Sequence, residues 1–112
     1  MKMALVHVAV LVTLFPTTVR AQLPVSEVIL DNPSIRITLL TFVPGGATGR
    51  HQGIESEIGL VIDGELTVES PTGRQTLRPG GAYWMPGLTP HDVRNEGAGP
   101  AKMWDIFLKR CD

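Results

Sequence analysis

The chain has 112 residues, with ten Lys and Arg against eleven Asp and Glu and a formal net charge of −1. That length leaves room for one domain, and the lack of a basic run or an interleaved aromatic stripe excludes a nucleic-acid-binding protein. A single cysteine, Cys111, excludes an intrachain disulfide. Next to last in a chain whose ends fray, it is not expected to be catalytic.

Lys2 gives a short positive start, Met3 to Phe15 is almost wholly apolar, and Val19-Arg20-Ala21 ends on a small residue before Gln22. This order is that of a secretory signal peptide cleaved after Ala21. The apolar run is well short of the roughly 20 residues that cross a bilayer. Residues 1–21 are therefore expected to be a leader and 22–112 the domain, periplasmic or secreted, with no stable membrane insertion after cleavage. His7 belongs to the leader. Export would carry Cys111 into an oxidising compartment. A domain this small builds a modest core, and a homodimer is the expected remedy.

From Val25 onward the pattern is β. Val25 to Leu30 and Ile35 to Val43 are rich in branched residues, and Ile58 to Ile62, Glu65 to Glu69, Ala82 to Met85 and Lys102 to Leu108 continue the series. The last of these could line a helix face, but Pro100 and its aromatics favour a final strand. Turn signals intervene at Pro44-Gly45-Gly46, Asp63-Gly64, Pro71-Thr72-Gly73, Pro79-Gly80-Gly81, Pro86-Gly87 and Gly97 to Pro100. Short strands so punctuated predict a sandwich or barrel, and Asp63-Gly64 between two apolar runs predicts a hairpin.

Two stretches carry the chemistry. The first reads Gly45-GATGR-His51-Gln52-Gly53-IES-Glu57-IGLVID-Gly64, and the second Gly80-GAYWM-Pro86-Gly87-Leu88-TP-His91-DVR-Asn95. With these residues the chain resembles the cupins, whose motifs are G-x5-H-x-H-x3,4-E-x6-G and G-x5-P-x-G-x2-H-x3-N. Two anchors depart: Gly53 stands where the family's second histidine belongs, and Leu88 where the second motif has glycine.

The resemblance implies an all-β jelly-roll barrel, a double-stranded β-helix, with a divalent metal held inside by His51, Glu57 and His91. Two imidazoles and a carboxylate suit iron, manganese, zinc, nickel or copper and leave coordination positions open. A small-molecule substrate or ligand is the expected partner, with dioxygenase or isomerase chemistry. A non-catalytic barrel binding a sugar or organic acid is the alternative that Gly53 supports.

Glu57 in an apolar strand needs a partner, because an unpaired buried carboxylate costs several kcal/mol. Glu55 is the competing carboxylate: along an extended strand it shares a side with His51, as a ligand filling the vacancy or as a general base. Gly64 lies at the family distance from Glu57, not Glu55. Asn95 is expected to form a turn, Gly64 and Gly80 to need positive φ, and Arg50 and Arg94 to point away from the site. Tyr83, Trp84, Met85 and Trp104 read as core or as walls of a small pocket.

Overall fold

The computed structural model describes residues 21–110. The expected leader, its last residue apart, and Cys111 lie outside them.

Eight strands make two antiparallel sheets: β1 Val25–Asp31, β2 Ile35–Phe42, β3 Ser56–Asp63, β4 Leu66–Ser70, β5 Gly73–Leu77, β6 Ala82–Met85, β7 Asp92–Arg94 and β8 Ala101–Leu108. One sheet has the order β1-β2-β8-β3-β6 and the other β5-β4-β7. The described residues contain no helix, and the final apolar run is a strand, paired with both β2 and β3.

The alternation of β2 shows how sequence sets the core. Thr38, Leu40 and Phe42 are buried while Ile37, Leu39 and Thr41, which alternate with them, are only half covered. Side chains opposite one another on neighbouring antiparallel strands share a face, so the register builds inward rows across the sheet. One row is Arg36, Phe107, Glu57 and Met85; the next is Thr38, Asp105, Gly59 and Tyr83; behind it lie Leu40, Met103 and Val61. From the smaller sheet Leu66, Val68, Leu77 and Val93 close the core.

Gly59 is glycine because Tyr83 lies over it. A Cβ there would fall 2.1 Å from Tyr83 Cε1 and 2.7 Å from Met103 Cε. Gly59→Ala is expected to cost ~1–3 kcal/mol by overpacking. At ~4–8 °C per kcal/mol for a domain of this size, a thermal melt would drop by several degrees. An unchanged melting temperature would mean that Tyr83 yields freely.

Three details differ from the sequence reading. Asp63-Gly64 makes no hairpin: β3 pairs with β6 and β8, β4 with β5 and β7, so this turn carries the chain from one sheet to the other. Gly64 has φ +69°, and a Cβ on it would lie 2.4 Å from the Pro100 carbonyl oxygen. β4–β5 is a hairpin, closed where Ser70 pairs with Gly73, and β1–β2 is another, closed where Asp31 pairs with Arg36. Strands β5 and β7 were not expected. Most of β5 is polar and exposed on both faces, and β7 has three residues, so neither shows a period in sequence.

Asn95 is structural, as expected. Fully buried, it donates from Nδ2 to the carbonyls of Phe42 (3.3 Å) and Gly99 (2.9 Å) and accepts from the Gly97 amide at 3.0 Å. Gly80 adopts φ +89°.

Candidate metal centre

The two histidines are joined through their backbones. His51 N–H donates to the His91 carbonyl and His91 N–H to the His51 carbonyl, both at 2.9 Å, an antiparallel bridge outside the named strands. That bridge sets the imidazoles side by side, with ring centroids 4.3 Å apart. Each ring is oriented in the same way. His51 Nδ1 lies 2.7 Å from the Gly49 carbonyl and His91 Nδ1 2.8 Å from that of Thr89, in both cases two residues back. A carbonyl can only accept, so each Nδ1 carries a hydrogen and each neutral ring keeps its lone pair on Nε2.

Glu57, four per cent exposed, enters from the second residue of β3. The ligand atoms of His51, Glu57 and His91 all lie within 4.8 Å of one another. His91 Nε2 faces Glu57 Oε1 directly, and both groups are buried. With its only proton on Nδ1, the neutral ring has no hydrogen-bonding partner for this buried Nε2 among the described residues. Two lone-pair donors so opposed require a cation between them, a proton or a metal. Imidazoles whose second nitrogen is fixed by a carbonyl are the usual arrangement of a metal-binding histidine, and the three residues fit a divalent transition metal.

Without metal the pair holds a proton. Burial opposes charge on His91, but Glu57 and the Thr89 carbonyl outweigh it and hold the imidazole above its ordinary 6.5. Burial also raises Glu57, yet hydrogen bonds from His91 and Asp105 and the charge of His51 bring it below 4.5.

Sequence reasoning missed Asp105. It stands one row behind Glu57, eight per cent exposed, and hydrogen-bonds the Glu57 carboxylate. Burial, then the bond to Glu57 and that residue's charge, push its carboxyl up to about 9, so it is a neutral acid donating to Glu57. Its Oδ1 has no partner among the described residues. Burial first, then the Glu57 and Asp105 carboxyls, push the Tyr83 phenol well above its ordinary range. The signal was present: Asp105 is a lone carboxylate in the apolar run Met103 to Leu108, the argument that singled out Glu57.

Glu55 stands apart from the cluster, its carboxylate 3.9 Å from the Arg36 guanidinium. Arg94 donates from Nε to Asp92 at 2.7 Å, with its side chain half exposed, and Arg50 is exposed. Tyr83 and Met85 are core and Trp84 is exposed on the other face of the sheet; the Tyr83 and His91 ring centroids are 6.3 Å apart.

The two departures from the motifs meet in space. Leu88 N–H donates to the Gly53 carbonyl at 2.6 Å. Leu88 takes φ +62°, the left-handed conformation that suits the motif's glycine and that costs an ordinary residue ~1–2 kcal/mol. Against the same segment, a Cβ on Gly87 would fall 2.2 Å from the Ile54 carbonyl oxygen. Around Gly53 itself the space is open: an added Cβ meets nothing within 4 Å among the described residues.

A small two-sheet β-barrel with a His–Glu–His cluster on facing loops and a strand is a jelly-roll barrel with a group positioned for a metal. The family model for the cupin domain matches residues 38–107, and the chain belongs to that family. It is 35% identical over 77 residues to the beta-alanine degradation protein BauB of Pseudomonas aeruginosa, covering 66% of this chain and 81% of that relative. Among solved structures it is similar to a cupin domain from Bordetella pertussis Tohama I, with a TM-score of 0.69 and 27% identity over 82% of this chain and 99% of that one. It is also similar to KdgF from Halomonas sp., with a TM-score of 0.71 and 25% identity over 78% and 79% of the two chains.

Proposed function

We propose that this protein is an exported metal-dependent cupin acting on a small organic molecule, by dioxygenase or isomerase chemistry. The observation that carries the reading is the buried opposition of His91 Nε2 and Glu57 Oε1 beside His51. A bound iron, manganese, zinc, nickel or copper ion would supply Lewis acidity and open coordination positions. The chain's own residues do the rest. The Gly49 and Thr89 carbonyls aim the two imidazoles, and Asp105 fixes the Glu57 carboxylate by donating to it. Glu55, beside open Gly53, is the candidate general base, and Glu55→Gln with full turnover would overturn that role.

Gly53 favours a second reading, a barrel that binds a small solute without turning it over. Metal analysis of the purified chain from Gln22, with neither chelator nor histidine tag, separates the two. Close to one metal per chain together with substrate-dependent oxygen uptake or isomer formation supports the enzyme. A chain that takes up no added iron, manganese, nickel, zinc or copper supports the binder.

Export rests on the order of Lys2, the apolar run Met3 to Phe15, and Val19-Arg20-Ala21; a secreted or periplasmic chain beginning at Gln22 is its test. A homodimer is supported by the outer face of the larger sheet. There the register aligns Ile37, Ile106, Ile58 and Trp84 in one row and Leu39, Trp104 and Leu60 in the next. Trp84 is 55% exposed, so sedimentation of the wild type against Trp84→Glu reads the association directly.

A further inference from the structure

A cavity of about 500 Å³ lies beside Gly53, bordered by Ile54, Glu55, Arg36, Phe107 and Lys109. Its place in the sheet relates it to the metal centre. Phe107 is the register partner of Glu57 on one side and of Arg36 on the other. Adjacent strands are ~4.8 Å apart, so the Arg36 backbone stands ~10 Å from that of Glu57 in the same inward row. Arg36 also borders a second cavity, of about 340 Å³, whose wall includes Thr38 and Asp105.

Charge in the larger cavity is unbalanced. Arg36, Lys109 and Arg110 line it against one carboxylate, Glu55. Lys109 is drawn to Asp31. Arg36 reaches Glu55 only at 3.9 Å, too far for a hydrogen bond. Instead its guanidinium lies over the Phe107 ring, 4.9 Å from the centroid. Stacking of that kind leaves the in-plane N–H groups free for a bidentate carboxylate. Ile54, 64% exposed, and Phe107 offer apolar surface beside the charge.

We propose that this cavity is the subsite for a small organic acid, its carboxylate gripped by Arg36 and its apolar body resting on Phe107 and Ile54, one strand away from Glu57. The proposal rests on the small-molecule reading above and names its substrate class. The acid enters beside Gly53, where a histidine would narrow the space. Arg36 holds the charged end, so the rest of the molecule is directed along the inward row towards Glu57.

The test is titration calorimetry with butyrate and its neutral isostere butyramide, on chelator-treated and on zinc-loaded protein. Butyrate is expected to bind at least about tenfold more tightly than butyramide in both forms, the scale of one charge-assisted contact. Arg36→Met is expected to abolish that preference. Arg36→Lys, which keeps the charge without the fork, should retain part of it and serves if Arg36→Met does not fold.

Equal binding of butyrate and butyramide, or a preference that survives Arg36→Met, overturns the proposal. A preference confined to the zinc-loaded form and indifferent to Arg36 also overturns it, because the carboxylate would then be on the metal. Failure of the metal reading looks different: no zinc is taken up, while Arg36-dependent butyrate binding persists.

Discussion

Replacing His91 by alanine is expected to abolish stoichiometric metal and to destabilise the metal-free fold as well. Loss of a direct ligand should exceed the ~10–100-fold in affinity that outer partners of a metal site are worth. The fold suffers because Glu57, four per cent exposed, loses the group facing its Oε1. Removing one member of a buried charged pair costs ~3–5 kcal/mol, and the low end is expected here because Asp105 still donates to Glu57.

Glu57→Gln separates the two effects. Its amide nitrogen can donate to His91 Nε2, while its oxygen still accepts from Asp105, so every neighbour is satisfied. The metal-free variant should match the wild type to within ~1 kcal/mol, about one ordinary hydrogen bond, and yet bind metal poorly. Metal analysis beside thermal melts reads both quantities. A Glu57→Gln protein that keeps one metal per chain would remove the carboxylate from the ligand set.

These residues show which parts of the site the sequence made legible. His51, Glu57 and His91 could be found because each sits at a fixed distance from glycines and prolines that shape the turns around it. Gly64 chose Glu57 over Glu55, and the reason is physical: Gly64 marks the corner between sheets, fixing how many residues β3 has before it turns. Counting back from that corner puts Glu57 on the inner face of β3. Glu55 precedes the strand and faces Arg36.

Asp105 and Arg36 were not legible in the same way. They become site residues only through the pairing of β8 with β3 and β2, strands more than forty residues apart in places, and no local pattern encodes that register. The Asp63-Gly64 turn failed for a related reason. Its residues predict a sharp bend correctly, but whether the flanking strands pair with each other depends on the other sheet. Polar β5 and three-residue β7 lack the alternation that reveals a half-buried strand.

Gly53→His is expected to strengthen metal binding, by at least about tenfold on the scale that outer-sphere changes already reach. The position is prepared for a side chain. Gly53 is not held at positive φ, an added Cβ has open space, and the bond to Leu88 uses only the Gly53 carbonyl. Gly53 is two residues beyond His51, the spacing at which the family motif carries its second histidine. Replacing a glycine at a compatible site also trims the unfolded ensemble, worth ~0.4–1 kcal/mol, so the variant should not be less stable than its parent.

What the variant does to ligands decides what Gly53 is for. If glycine merely records a lost ligand, the variant should bind metal more tightly and leave butyrate binding unchanged. If glycine keeps a doorway open, tighter metal should come with weaker butyrate binding, because the imidazole fills the cavity that Gly53 shares with Arg36 and Phe107. The open space around Gly53 and the stacked, underused guanidinium across from it favour the second result. Unchanged metal affinity would place side chain 53 outside the coordination sphere and leave Gly53 a part of the cavity wall alone.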